Sequence, residues 1–279
     1  MIISVASGKG GTGKTLVSTS LALSLKNGVQ LLDCDVEEPN ASIFLKPKIE
    51  RKEHVYLPKP IVEPTHCTAC GKCAEVCQFN AIAVVKKKVL IFHELCHSCG
   101  ACSLACPQKA IFEVDSEKGI LEKGYSGNIE FWQGILKIGE PSATPLIKAL
   151  KRKIDVQKIV IMDSSPGTSC PMVETVKNSD FTILVTEPTP FGLNDLILAV
   201  EVVNKLKIPF GVVINRCDIG DDKVELYCRE NKIPILMRIP FDRKIAELYS
   251  KGIPFITEQP EYIDELKKMF NLINKDLSQ

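Results

Sequence analysis

Several things are scarce in this 279-residue chain. No apolar run reaches the roughly 18 residues needed to cross a bilayer, which excludes a membrane-spanning helix. Neither sign of charge dominates: 35 Lys and Arg face 34 Asp and Glu, a net charge of +1. A global basic field for nucleic acid or anionic lipid is therefore not indicated. The opening Met1-Ile2-Ile3-Ser4-Val5 reads as a strand, with no basic stretch or cleavage site, so a cytoplasmic location is expected rather than export. Aromatics are few at 6%, yet 45% apolar and 25% charged residues describe a globular chain and not a disordered one. At roughly 150 residues per domain, the length suits one large domain or two smaller ones.

What is abundant is cysteine, twelve in all. In a chain with no sign of export, that number points to metal ligation more than to disulfides. Around the cysteines lies a different pattern. Short apolar runs without alternation recur at residues 2–6, 29–32, 159–162, 181–185, 212–214 and 235–237. Such runs fit strands buried on both faces. Between them, Val17, Leu21, Ala22 and Leu25, and later Leu196, Val200, Val203 and Leu206, keep helical spacing. Strand–helix alternation predicts a doubly wound α/β domain with a mostly parallel sheet, over residues 1–54 and 115–279. Residues 55–114 break the alternation and read as a small α+β insert. Pro58, Pro60 and Pro64 stiffen its lead-in, and residues 119–137 form a β-rich return with Gly124 and Gly127 as turn signals.

The stretch Gly8-Lys9-Gly10-Gly11-Thr12-Gly13-Lys14-Thr15 satisfies G-x-x-x-x-G-K-[ST] between a predicted strand and a predicted helix. Glycines at 8, 10, 11 and 13 let backbone N–H groups face phosphate oxygens, and the helix N-terminus adds partial positive charge. Lys14 is placed to reach the β- and γ-phosphates, and the Thr15 hydroxyl to ligate Mg²⁺. Asp163 ends an apolar run and suits a contact to the same ion.

The form K-G-G-x-G-K-T resembles the deviant phosphate loop of the MinD/ParA superfamily, which includes the nitrogenase iron protein. That resemblance implies a P-loop ATPase with an ATP-dependent homodimer, in which Lys9 contacts phosphates bound by the opposite subunit. It implies that Leu31-Leu32-Asp33-Cys34-Asp35, with Pro39-Asn40 following, leads into the first switch, whose aspartate Asp35 orients the attacking water and lies near Mg²⁺. Ser164-Ser165-Pro166-Gly167-Thr168 resembles the second switch. Asn215 and Arg216, with Pro240 in Arg238-Ile239-Pro240-Phe241-Asp242, resemble the adenine side.

The insert carries Cys67-x₂-Cys70-x₂-Cys73-x₃-Cys77 and, 29 residues on, Cys96-x₂-Cys99-x₂-Cys102-x₃-Cys106-Pro107. This resembles the bacterial two-cluster ferredoxin, in which the fourth cysteine of each run ligates the other cluster. One [4Fe–4S] cluster is thus assigned to Cys67, Cys70, Cys73 and Cys106, the second to Cys77, Cys96, Cys99 and Cys102. Gln78 stands where the second run has Pro107. Zinc also accepts four thiolates, but its sites favour separated pairs over triplets. His66 and His97 flank the ligands and read as exposed loop residues. Of the other cysteines, Cys217 and Cys228 read as packing or surface thiols, and Cys34 is ambiguous. Cys170, seven residues after Asp163, reads as a free thiol or transient ligand near the dimer axis.

Together the resemblances imply an ATPase carrying an inserted ferredoxin domain, with electron transfer gated by the nucleotide and an unidentified redox partner. Two alternatives stand beside it. One is a cluster carrier or assembly ATPase acting on apo-proteins; the other is a MinD-like regulatory switch with the clusters as redox sensor. Against the last, the tail 262–279 carries three charges of each sign and reads as a helix packed on the sheet.

Overall fold

The computed structural model describes residues 1–277, which form two compact units. The first comprises Met1–Lys52, Leu121–Ile135 and the chain from Ile147 onward; the second comprises Glu53–Ile120 and Leu136–Leu146. The second unit therefore takes in a segment well beyond the cysteine-bearing stretch 55–114.

The chain opens with β1 (Ile2–Ala6), α1 (Lys14–Leu25), β2 (Val29–Asp33) and α2 (Ala41–Leu45). A long strand, β3 (Lys48–Val62), follows, and then α3 (Lys72–Glu75), β4 (Ile82–Val85), β5 (Lys88–Ile91) and α4 (Ala101–Ala105). Two more strands, β6 (Ile111–Ser126) and β7 (Ile129–Leu136), lead to α5 (Thr144–Lys151) and β8 (Ile159–Asp163). The remainder alternates: α6 (Cys170–Val176), β9 (Phe181–Thr186), α7 (Pro190–Lys205), β10 (Phe210–Asn215), α8 (Lys223–Glu230), β11 (Ile235–Ile239), α9 (Arg243–Ser250) and α10 (Glu261–Asp276).

Nine strands make one sheet in the order β11-β10-β9-β1-β8-β2-β7-β6-β3. From β11 to β7 every pairing is parallel. These strands carry the six apolar runs and are buried on both sides: Ile3, Val5, Leu31, Val160 and Ile161 have no exposed surface. On one face they pack with Val17, Leu21 and Ala22 of α1 and with Leu266, Met269 and Ile273 of α10. The tail helix thus spends its apolar stripe on the core. On the other face Leu196, Val200 and Val203 of α7 cover Leu184 and Val212.

Two sequence expectations need correction. The lead-in bearing Pro58 and Pro60 is strand, since both fall within β3. Proline survives there because β3 is the sheet's edge, where a missing N–H costs no ladder bond. Its polar text, Ile49-Glu50-Arg51-Lys52-Glu53-His54, hid it from a search for apolar runs. Gly127 does turn, with φ +56°, between β6 and β7. Gly124 does not: it lies inside β6, where a Cβ would come within 2.6 Å of the Lys48 carbonyl oxygen, so it is glycine for close approach.

In the second unit the repeat is structural as well as textual. Left-handed residues Ala69, Gly71 and Asn80 recur at Ser98, Gly100 and Lys109, each at the 29-residue interval of the cysteines. Buried Cys73 and Ile82 recur as Cys102 and Ile111, and these four form the small core. That is little apolar mass for a core.

Candidate functional site

Because β1 pairs with β8 on one side and β9 on the other, the chain reverses its winding at β1. In open α/β sheets such a switch point opens a crevice beyond the carboxyl ends of the strands. The loop 7–13 lies there, between β1 and α1. Gly11 and Gly13 hold φ of +80° and +99°, a region that glycine enters without strain. A Cβ at Gly13 would also stand 2.6 Å from Asn215 Nδ2, which donates to the Thr12 carbonyl at 2.9 Å. Gly8 serves packing instead: its Cβ position falls 2.1 Å from the Asp195 carbonyl oxygen on α7. Ser7 Oγ donates to the Lys9 carbonyl at 2.5 Å, and Gly167 N–H donates to the Ser7 carbonyl at 3.1 Å, tying the loop to the second switch.

A cavity of about 360 Å³ opens over this loop. It gathers Gly10, Gly11, Gly13, Lys14, Thr15 and Asp35 with Asn215, Arg216 and Pro240. Lys14 and Thr15 are themselves buried. Gly8, Lys9, Thr12 and Asp163 are outside the cavity lining. The Lys9 ammonium sits 3.8 Å from Glu187 Oε2, while Arg216 Nη1 pairs with Glu187 Oε1 at 3.0 Å.

Three carboxyls meet beneath the loop. Asp33 and Asp163 are register partners on β2 and β8 and have no exposed surface. Asp33 accepts from the backbone N–H groups of Asp35 at 3.1 Å, and of Asn40 and Ala41 at 2.9 Å each, which folds the first switch into a fixed turn. Burial, then repulsion from Asp163, pushes its pKa well up. Asp163 has no hydrogen-bond partner on either oxygen. Burial raises its pKa to about 6, against the pull of the nearby Thr15 hydroxyl and Lys14 ammonium. Half-buried Asp35 is raised by burial too, and lowered by Lys14 and Ser165. A buried carboxylate without partners, beside a threonine hydroxyl and a phosphate loop, fits Mg²⁺, which takes oxygen ligands and keeps several waters.

In the second unit one cavity is lined by Cys67, Cys70, Cys73 and Cys106, and another by Cys77, Cys96, Cys99 and Cys102. Each run lends its fourth cysteine to the other's cavity. Backbone N–H groups of Ala69, Ala81 and Ala110 donate to the sulfurs of Cys67, Cys77 and Cys106 at 3.3–3.4 Å. Among the described residues no three His, Cys, Asp or Glu are disposed to hold a single metal ion. Four thiols around a space, with amides directed at sulfur, fit the donor set that a [4Fe–4S] cluster takes. His66 and His97 are exposed, although His97 also stacks on Phe79, ring centroids 3.9 Å apart, at the edge of the second cavity.

Residues 3–255 match the CobQ/CobB/MinD/ParA nucleotide binding domain. The chain belongs to that family. A relative of unassigned function in Methanocaldococcus jannaschii is 30% identical over 99% of this chain and 97% of its own. The iron-sulfur cluster carrier protein of Aquifex aeolicus is 28% identical over all of this chain and 67% of its own. Among solved structures, the septum site-determining protein MinD of Pyrococcus horikoshii, complexed with Mg-ADP, matches with a TM-score of 0.57 at 22% identity, covering 96% of this chain and 93% of that one. The MinD/ParA-type fold explains why the crevice is a nucleotide site.

Within this MinD/ParA-type domain, several residues escaped a reading by motif. Ile245, Ala246 and Tyr249 line the cavity from α9, and Glu38 from the first switch. Asp33 was in plain view as the first acid of Asp33-Cys34-Asp35, yet only the fold shows that it holds the second. Glu187 carries no motif at all. Cys34 is wholly buried, its N–H donating to the Asp163 carbonyl at 2.8 Å, which makes it a packing residue between the switches. Cys228 is buried, Cys217 half-buried, and Cys170 exposed at the start of α6. No helix among the described residues is long and apolar enough to cross a membrane.

Proposed function

We propose that this chain is an iron–sulfur ATPase in which the nucleotide state of the first unit gates one-electron transfer through two [4Fe–4S] clusters of the second. The observation that carries the reading is the exchange of fourth cysteines between the two cavities, in a chain whose other unit holds a phosphate loop. When bound, the clusters supply one-electron redox capacity at potentials tuned by charge and hydrogen bonds at sulfur.

The chain's own groups divide the remaining work. Backbone N–H groups of residues 10–13 and the Lys14 ammonium hold the phosphates of ATP. The Thr15 hydroxyl and Asp163 would hold Mg²⁺, whose charge offsets that of the phosphate oxygens. Asp35, held by the Asp33 turn, orients the attacking water; phosphoryl transfer asks for positioning more than covalent help. Asn215, Arg216 and Pro240 border the base. Lys9 leaves Glu187 to reach the phosphates of a second copy, and that exchange closes an ATP-dependent homodimer. Release of phosphate reopens it, so the redox partner meets two distinguishable states.

Protein purified without oxygen should carry about eight irons per chain. A tenfold preference of one redox state for the nucleotide corresponds to about 59 mV for one electron. Voltammetry with and without a non-hydrolysable ATP analogue reads that shift. Identical potentials, together with identical rates of electron transfer to an acceptor, would refute gating.

Similarity to the Aquifex carrier favours a second reading, delivery of clusters to apo-proteins. A transfer assay in the presence of chelator separates the two, since a carrier loses its iron to the apo-protein and an electron-transfer module keeps it.

A further inference from the structure

The two halves of the cysteine module are alike in backbone, but their surroundings differ in charge. Lys59, Glu140 and Lys118 form a buried triad in the second unit. Lys59 Nζ meets Glu140 Oε1 at 2.6 Å, and Lys118 Nζ meets Glu140 Oε2 at 2.8 Å. Their side chains are 8%, 7% and 3% exposed, so water screens them little. Burial alone would push the Glu140 carboxyl up, yet the two ammoniums hold it below the ordinary range. Two ammoniums on one carboxylate leave one positive charge uncompensated within the triad.

That charge is delivered to one half of the module. Lys59 Nζ also donates to the His93 carbonyl at 3.3 Å, and the same oxygen accepts the Cys96 N–H at 3.2 Å. The ammonium and the backbone of a cluster ligand therefore share one carbonyl. Pro60, next in sequence, lines the cavity of Cys77, Cys96, Cys99 and Cys102. The repeat offers no buried equivalent: the residue 29 positions after Lys59 is Lys88, which likewise precedes a residue lining the other cavity, Val89, but is exposed at the start of β5, where water screens its charge.

We propose that the Lys59–Glu140–Lys118 triad makes the two clusters inequivalent, raising the reduction potential of the one on Cys77, Cys96, Cys99 and Cys102 above its repeat partner's. Adding an electron adds negative charge, and a fixed buried positive charge favours that state. With one electron on the module, this cluster holds it in reduced form while the other stays oxidised. Lys59 is a tuning residue here, touching the ligand loop and not the reacting atoms. The inference rests on the proposal that these thiols hold [4Fe–4S] clusters.

The test is a redox titration of the iron-loaded full chain, followed by electron paramagnetic resonance, in wild type, Lys59→Met and Lys59→Arg. Met keeps the length, removes the charge and leaves Glu140 paired one-to-one with Lys118. In Lys59→Met one cluster should become harder to reduce by at least tenfold in its reduction equilibrium, about 59 mV for one electron. The other should move by less than a third of that, and Lys59→Arg should restore the wild-type value. Cys99→Ser identifies the affected signal by altering it. Equal shifts of both clusters, no shift, or the same shift in Lys59→Arg would overturn the assignment. Failure of wild type to bind iron would instead sink the cluster reading, and this inference with it.

Discussion

Asp163 allows a stability prediction whose sign is opposite to that of most active-site substitutions. Its carboxyl has an ordinary value of 3.8 and is raised to about 6 in the fold, by burial above all. A carboxyl whose pKa rises on folding binds protons on folding, so stability declines as pH climbs from about 3.8 to about 6. At about 1.36 kcal/mol per pH unit, the whole penalty is about 3 kcal/mol above pH 7. Asp163→Asn removes the charge at constant shape and relieves the repulsion on Asp33. The nucleotide-free variant should therefore be more stable than wild type by about 3 kcal/mol at pH 7, and by about half that at pH 5. The single tryptophan, Trp132, lies buried on β7 in the same unit and reports its unfolding in urea. With a slope of roughly 2 kcal/mol per molar, the midpoint should rise by about 1.5 M. The same variant should lose Mg²⁺-dependent nucleotide binding, and wild-type binding should weaken below about pH 6. A midpoint that falls, or that rises equally at pH 5 and pH 7, would refute the view that a destabilising charge is kept for the ion.

Glu130 gives the reverse dependence: burial would raise its pKa, but Lys158, Trp132 and Gln30 bring it down to about 2. The stability it contributes is present above about pH 4.5 and disappears toward pH 2, so acid unfolding followed at Trp132 should be less pH-dependent in Glu130→Gln than in wild type. Gly13→Ala, with φ at +99° and Asn215 Nδ2 in the way, should abolish nucleotide binding measured by calorimetry while leaving the iron content unchanged. Cys106→Ser should disturb the cluster of the first cysteine run and spare that of its own, lowering iron from about eight toward about four per chain with one paramagnetic signal intact. Loss of the other signal would disprove the exchanged ligation.

What could be read from the sequence followed the range of the interactions involved. The phosphate loop is one continuous stretch, and its glycine spacing states its backbone geometry directly. The parallel strands were legible because strands covered on both faces must be apolar along their whole length. β3 was not, since an edge strand needs neither continuous apolar text nor every N–H, and charged residues together with two prolines conceal it. Asp33 and Asp163 lie 130 positions apart, and only strand register sets them side by side. Lys59 and Glu140 are separated by 81 residues and belong to no motif. Charge pairing across such distances leaves no local period to detect.

The exchange of ligands also bears on whether clusters are kept or given away. Each cysteine run contributes to both cavities, so withdrawing either of the proposed clusters would free thiolates of both runs at once. The core between them is made of Cys73, Cys102, Ile82 and Ile111, with Cys77 and Cys106 packed against it. Four of the eight proposed ligands thus belong to the core or pack on it, and the apolar area left without metal would be small for holding so short a segment in place. Donation of both clusters would require this part of the chain to come apart and be rebuilt with every delivery. Passing an electron changes one charge and leaves every ligand where it stands. Among the two readings, the one that asks least of this architecture is electron transfer, with the nucleotide determining when a partner may receive it.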